Sequence, residues 1–308
     1  MPLDARARRL LGLIQAAAPT AGDDELMSLR RATDALADFA APPPAVDRED
    51  LILSLPGRLL PARAYSPLPA GGAPLPGLVY FHGGGLISGG LASHDSLCAE
   101  LSHTAECRIF AVDYRLGPEF RFPAAHDDAR DAVNAIAGRA GELGVDLAHF
   151  GVGGDSAGGN LAAFAVTRSD APLRLLFLLC PVLDMLAREP SRRELGSGFL
   201  IEEATMQRYW AHYKVEGLAS DDARVAPLRA GGFSAYPPTR IHSAEYDPLK
   251  DEAAAFAAAI AAAGGQSQSR VYEGLIHHFY GLTAVIPSAR AALAMIGADL
   301  ADGLARAG

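Results

Sequence analysis

Gly154-Asp155-Ser156-Ala157-Gly158 constrains this chain more than any other stretch, because a serine set between glycines suits a sharp strand-to-helix turn that exposes its hydroxyl. Such a turn presses its neighbours together, so the flanking positions cannot carry bulky side chains. Gly154, Ala157 and Gly158 meet that demand. Upstream, Phe150 to Gly153 reads as the end of a buried strand, and downstream Asn160-Leu161-Ala162-Ala163-Phe164-Ala165-Val166 reads as a buried helix.

On its own this pattern is a weak signal in a chain with 32 glycines. A second motif strengthens it. His82-Gly83-Gly84-Gly85 follows the strand-like run Gly77-Leu78-Val79-Tyr80-Phe81 and precedes the serine, as the oxyanion loop of lipases and esterases does. Three consecutive glycines let main-chain N–H groups converge on one point, which a developing oxyanion requires. A flexible hairpin turn is the other use of such a run.

At 308 residues the chain can bury a large core, as one α/β domain or two smaller ones. Hydrophobic residues at 50% and charged residues at 20% describe a folded protein and not a disordered one. The 27 basic against 36 acidic residues leave a net charge of −9 with no basic run, which argues against nucleic-acid binding. Cys98, Cys107 and Cys180 are odd in number and lack metal-ligand spacing, so neither a disulfide framework nor a metal site is expected, and a cytoplasmic location is the default. Arg6, Arg8 and Arg9 ahead of Leu10 to Ile14 imitate a signal peptide, yet Asp4, Gln15 and the pattern through Leu26, Leu29 and Leu36 fit amphipathic helices better. No stretch reaches the ~18 apolar residues of a membrane span.

Helical stretches over about 3–18 and 23–41 end at Pro42-Pro43-Pro44, which no helix can cross. Beyond them strands near 57–64, 77–82, 108–113, 149–154, 173–180, 239–245 and 268–272 alternate with helices near 92–105, 124–138, 157–168, 250–263 and 288–303. Alternation of this kind predicts an α/β fold, with a mostly parallel central sheet flanked by helices. Between Pro181 and Pro238 no strand is expected. An insertion there falls after a strand's carboxyl end and would cover the serine as a helical cap. The expected divisions are N-terminal helices joining the cap over 1–45, core over 46–183, cap insertion over 184–225, and core over 226–308.

A serine hydroxyl needs a histidine to take its proton, and the histidine needs an acid to fix its tautomer. Both partners are expected downstream in the order acid, then histidine. Asp247 follows the strand Thr239 to Tyr246 and is the best acid; Asp184, Asp221 and Asp222 lie in the insertion, and Asp251 falls within a helix. His277 and His278 come one helix and one strand later, and spacing does not choose between them. His242 on a strand and His212 on a helix read as structural or surface residues.

These residues make the chain resemble bacterial members of the hormone-sensitive-lipase-like family of carboxylesterases over about Leu78 to Leu282. The matching motifs are Tyr80 to Gly85, Asp113-Tyr114-Arg115-Leu116, Gly154 to Asn160, Glu245 to Leu249 and Gly274-Leu275-Ile276-His277. The resemblance implies an α/β-hydrolase fold with Ser156 as nucleophile, Asp247 as orienting acid and His277 as general base. It also implies oxyanion N–H groups from Gly83, Gly84 and Ala157, with His82 and Gly85 supporting the loop. Three departures stand out: His278 replaces the usual glycine after the histidine, Leu86 the usual aromatic residue after the glycines, and Gly117 the usual alanine before Pro118. Tyr114, Arg115, Glu119, Phe122 and Pro123 are read as packing and hydrogen bonding beneath the loop. Leu86, Asp155, Trp210, Tyr213 and His278 are expected in or beside the substrate pocket, although Tyr209, Trp210 and Tyr213 at helical spacing equally describe a packed face.

The expected activity is cofactor-independent hydrolysis of small esters with short to medium acyl chains. An amidase, carbamate hydrolase or deacetylase could use the same triad. A ligand-binding member of the fold is disfavoured, because the plant gibberellin receptors of this family lack the catalytic histidine. The strand Gln268 to Tyr272 is expected last in the sheet, where its open edge could pair two copies into a homodimer.

Overall fold

The computed structural model describes residues 1–16, 24–69, 71–219, 222 and 224–305. Its sheet is built on strands too apolar to face water on either side. β6 (Leu175–Leu179) is Leu-Leu-Phe-Leu-Leu with every side chain buried, each worth roughly 1.5–3 kcal/mol of transfer out of water. β3 (Leu75–Phe81) and β4 (Arg108–Val112) are similar, and all three need a helical layer on both faces. Alternation along β3 divides the core: Val79 and Phe81 enter one hydrophobic cluster, Leu78 and Tyr80 the other.

The remaining strands are β1 (Val46–Leu55), β2 (Arg58–Pro67), β5 (Val145–Asp155), β7 (Thr239–Tyr246) and β8 (Ser267–Ile276). They join in the order β1-β2-β4-β3-β5-β6-β7-β8. Pairing is parallel from β4 to β8, and β1 and β2 add to β4 antiparallel. The expected α/β architecture is therefore present, and β8 does end the sheet. β1 is a strand the sequence reading left out. Its first half, Asp47-Arg48-Glu49-Asp50, is charged and exposed at the open edge, and only Leu51, Leu53 and Leu55 bury an alternating face.

The helices are α1 (Ala5–Ala16), α2 (Glu25–Ala35), α3 (Asp95–Ala105), α4 (Ala124–Gly138), α5 (Ala157–Arg168), α6 (Pro190–Glu194), α7 (Glu203–Tyr213), α8 (Lys250–Ala262) and α9 (Pro287–Ala305). α1 and α2 replace the two longer N-terminal helices expected, and residues 17–23 lie outside the described set. Between β6 and β7 the described residues contain α6, α7 and two 3-10 turns but no strand, as expected. Among the described residues no helix is long and apolar enough to cross a membrane.

Two glycines let α5 start hard against the sheet. A Cβ on Gly154 would meet the Gly158 carbonyl at 2.5 Å and Phe81 O at 2.6 Å, and one on Gly158 would strike the Phe81 and His82 carbonyls. All of these obstacles are backbone, so nothing can rotate aside. Gly158→Ala should therefore lower unfolding stability by at least the roughly 1–3 kcal/mol typical of overpacking. Urea denaturation will measure it, and a midpoint equal to the parent's would show that the helix start can shift.

Candidate active site

The serine is held in a strained turn. Between β5 and α5, Ser156 adopts φ 50° and ψ −119°, which residues with a side chain rarely occupy. Its N–H donates to Leu179 O at 2.9 Å, and its carbonyl accepts from Gly159 and Val182 at 3.1 and 2.9 Å.

Asp247 lies fully buried just past β7. Its Oδ1 accepts the Leu249 N–H at 2.8 Å, and its Oδ2 accepts from His277 Nδ1 at 2.8 Å. A carboxylate at Nδ1 holds the proton there and leaves Nε2 as the basic nitrogen. Position therefore separates the two adjacent histidines: His277 pairs with Asp247, whereas His278, at φ 60°, turns toward His94 and Tyr280. The other acids are engaged elsewhere. Asp184 binds Arg229, Asp222 binds Arg224 at 2.6 Å and Asp251 accepts the Ser191 N–H at 2.8 Å, while Asp221 lies outside the described residues. The Cys180 thiol lies within 4.8 Å of the Asp247 carboxylate and the His277 ring, and burial followed by the charge of Asp247 pushes its pKa far up.

Asp155 borders the cavity that Ser156 lines, where it was expected. Only 1% exposed, it gathers the Tyr80 hydroxyl at 2.9 Å, the Tyr280 hydroxyl at 3.0 Å, the Gly83 N–H at 3.0 Å and His94 Nε2 at 3.2 Å. Burial opposes its charge, but His94, His278 and the Tyr80 hydroxyl outweigh that and hold the carboxyl well below the usual range. The Gly83 N–H is thus spent on Asp155, which departs from the expectation that it faces a substrate oxygen. Gly84 and Gly85 have no such acceptor among the described residues, and Ala157 opens α5, so its N–H has no partner within the helix.

His82 is a support. Its ring stacks on Tyr114 at 4.3 Å, its Nδ1 contacts Gly83 O at 2.7 Å, and its carbonyl accepts from the Tyr114 hydroxyl at 2.8 Å. Burial, with help from neighbouring His94, pulls its pKa down to about 3, so it is neutral. Arg115 clasps Asp128 of α4, and Glu119 receives Arg30 of α2, which also donates to Ile87 O and Gly117 O at 2.8 and 2.9 Å. Arg30 thereby ties the N-terminal helices to the glycine loop.

Ser156, His277, His278 and Gly83 to Gly85 line a cavity of about 1000 Å³, together with apolar residues of α1 and α2 such as Leu10, Ile14 and Leu29. Three pocket expectations are corrected. Leu86 is 1% exposed in the core and does not reach this cavity. Tyr213 is fully buried with its hydroxyl 2.9 Å from His126 Nδ1. Trp210 faces a separate cavity with Met206 and Lys214, one helical face of α7, while Thr205, Arg208 and Tyr209 turn to the catalytic side. Tyr209 packs on Gly85, where any Cβ would collide with its ring. No motif marks His94, Tyr280 or the contact between Tyr209 and Gly85, because they arrive from separate elements.

A strained serine, an Asp-paired histidine and a glycine loop around one cavity define a serine hydrolase. Residues 78–281 match the family described as alpha/beta hydrolase fold, and the chain belongs to that family, in its hormone-sensitive-lipase-like branch. It is 38% identical over 247 residues to an ethyl acetate hydrolase of Pseudomonas putida, covering 78% of this chain and 77% of that one. To an arylesterase of Saccharolobus solfataricus it is 32% identical over 314 residues, covering 98% and 99%. An ester hydrolase from the metagenome of Lake Arreo, solved with a bipyridine phosphonate derivative, superposes with a TM-score of 0.92 at 33% identity over 97% of this chain and 98% of that one.

The buried imidazoles set an acid limit on the fold. His82 and His126 have pKa values lowered to about 3 and about 4, in each case chiefly by burial. Unfolding returns them to the ordinary value of about 6.5. Below that pH the unfolded chain binds more protons than the native one, so stability falls as pH drops through about 6.5 toward the native values. Each ring should contribute up to roughly 1.4 kcal/mol per pH unit well below that point. Urea unfolding across this range will check it, and a flat profile would mean that both rings are charged in the native state.

Proposed function

We propose that this carboxylic ester hydrolase works through an acyl-enzyme on Ser156, with His277 as general base and Asp247 as the acid that orients it. The 2.8 Å bond from His277 Nδ1 to Asp247, in one cavity with the strained serine, carries the reading. His277 Nε2 takes the Ser156 proton as Oγ attacks the ester carbonyl, then delivers it to the leaving alcohol. In the second half-reaction water, deprotonated by the same nitrogen, releases the acid. The N–H groups of Gly84, Gly85 and Ala157 receive the oxyanion, and Gly83 anchors the loop through Asp155.

The substrates are small esters with short to medium acyl chains. The apolar faces that α1 and α2 give the cavity support this, as do relatives named ethyl acetate hydrolase and arylesterase. Residues 1–45 and 184–225 serve as the cap, which is consistent with Leu10, Leu29 and Tyr209 lining the site. Ser156→Ala should cut kcat by roughly 10⁴ to 10⁶. His277→Ala should do nearly as much, and His278→Ala should alter turnover only modestly. Steady-state hydrolysis of a short-chain ester separates these, and abolished turnover in His278→Ala with activity retained in His277→Ala would move the base.

For assembly, the reading is a two-fold dimer paired through the outer edge of β8, where Val271 is 48% exposed on the terminal strand. Light scattering at micromolar concentration should give twice the 32.2 kDa chain mass, and a single chain mass would end the idea.

A further inference from the structure

Beside the triad lies a second group of ligating side chains that the hydrolytic reaction does not use. His94 on the loop before α3, Asp155 at the end of β5 and His278 after β8 bring one ligand atom each to within 4.8 Å of one another. Two imidazoles and a carboxylate are a donor set suited to zinc-class divalent ions.

The hydrogen bonds around Ser93 favour Nε2 as the available nitrogen of His94. Ser93 Oγ accepts the Gly90 N–H at 3.0 Å, and with its own proton on Gly90 O, 3.0 Å away, it accepts from His94 Nδ1 at 2.9 Å. In that arrangement a neutral His94 carries its proton on Nδ1, and its Nε2 lone pair faces the Asp155 carboxylate. Two acceptors facing each other repel unless a proton or a metal cation lies between them. Their separation of 3.2–3.3 Å is long for a charge-assisted hydrogen bond, which runs about 2.7–2.9 Å. It does match the edge of about 3.3 Å between two ligands at about 2.0–2.1 Å in a tetrahedral zinc site. Ser93 then has the outer-shell role that fixes a ligating histidine.

His278 supplies the third donor. Its side chain has no hydrogen-bond partner among the described residues, and its ring lies edge-on to His94 at 6.0 Å. All three residues line the catalytic cavity together with Ser156 and His277.

We propose that His94, Asp155 and His278 form a binding site for a zinc-class divalent cation at the catalytic cavity, and that its occupation inhibits ester hydrolysis. A hydrated ion there takes up space that substrate needs. It also draws on the carboxylate that holds Gly83 and, through it, the oxyanion loop. Inhibition rests on the esterase reading, whereas binding does not.

Equilibrium dialysis of the whole protein against micromolar Zn²⁺, followed by metal analysis, tests the site directly. The parent should take up one ion per chain. His278→Gly, compatible with φ 60°, should weaken uptake by about tenfold or more. Cys180→Ala controls for the other cluster, Cys180-Asp247-His277, and should bind as the parent does. Zinc inhibition, normalised to each protein's metal-free rate, should weaken in parallel in His278→Gly. No uptake by the parent, equal uptake by His278→Gly, or loss of uptake in Cys180→Ala would overturn the site; uptake without inhibition would overturn its effect on catalysis.

Discussion

A carboxylate taken out of water must be surrounded by donors, and Asp155 imposes that requirement on the centre of this molecule. Three donors, the Tyr80 and Tyr280 hydroxyls and the Gly83 N–H, and the His94 ring nitrogen come to it from β3, the turn after β8, the glycine loop and the loop before α3. Each of these segments must be in place for the charge to be tolerated, so the residue preceding the nucleophile locks the oxyanion loop and the histidine loop to one point. The strain at Ser156 persists because this frame, with Leu179 and Val182, over-determines the turn.

The site is therefore walled by strand ends on one side and by residues of α1, α2 and α7 on the other. Asp247, His277 and Asp155 belong to strand ends, where the parallel sheet fixes their spacing. Besides its buried Leu29, α2 is tied to the segment after the glycines by Arg30, which donates to Glu119 and to the carbonyls of Ile87 and Gly117. Those ties reach the loop that carries the glycines, so the position of the N-terminal helices and that of the oxyanion donors are mechanically linked.

Much of this was legible because short motifs encode local backbone demands. Gly154 and Gly158 announce a close approach of helix and strand, which the collisions a Cβ would suffer bear out. The order of serine, acid and histidine follows from parallel strands delivering their carboxyl ends to one edge. β1 escaped notice because an exposed edge strand needs only half its length to alternate. Gly83 and Gly84 look alike as residues, yet only the location of Asp155 determines which N–H remains free. Similarly, Trp210 and Tyr209 are neighbours on one helix, and the rotation of α7 sends them to different cavities.

What the amino-acid sequence determined by itself is the parallel part of the sheet, the nucleophile turn and the short list of acids and bases, since each depends on local periodicity or on the steric needs of a few consecutive residues. Tertiary structure decided the choice of His277 over His278 as the partner of Asp247, the identity of the donors around Asp155, and the face of α7 turned to the cavity. Those depend on distances between segments far apart in the chain. The physical reason is that a side chain's role is set by what lies within about 3 Å of it, and no local pattern records that.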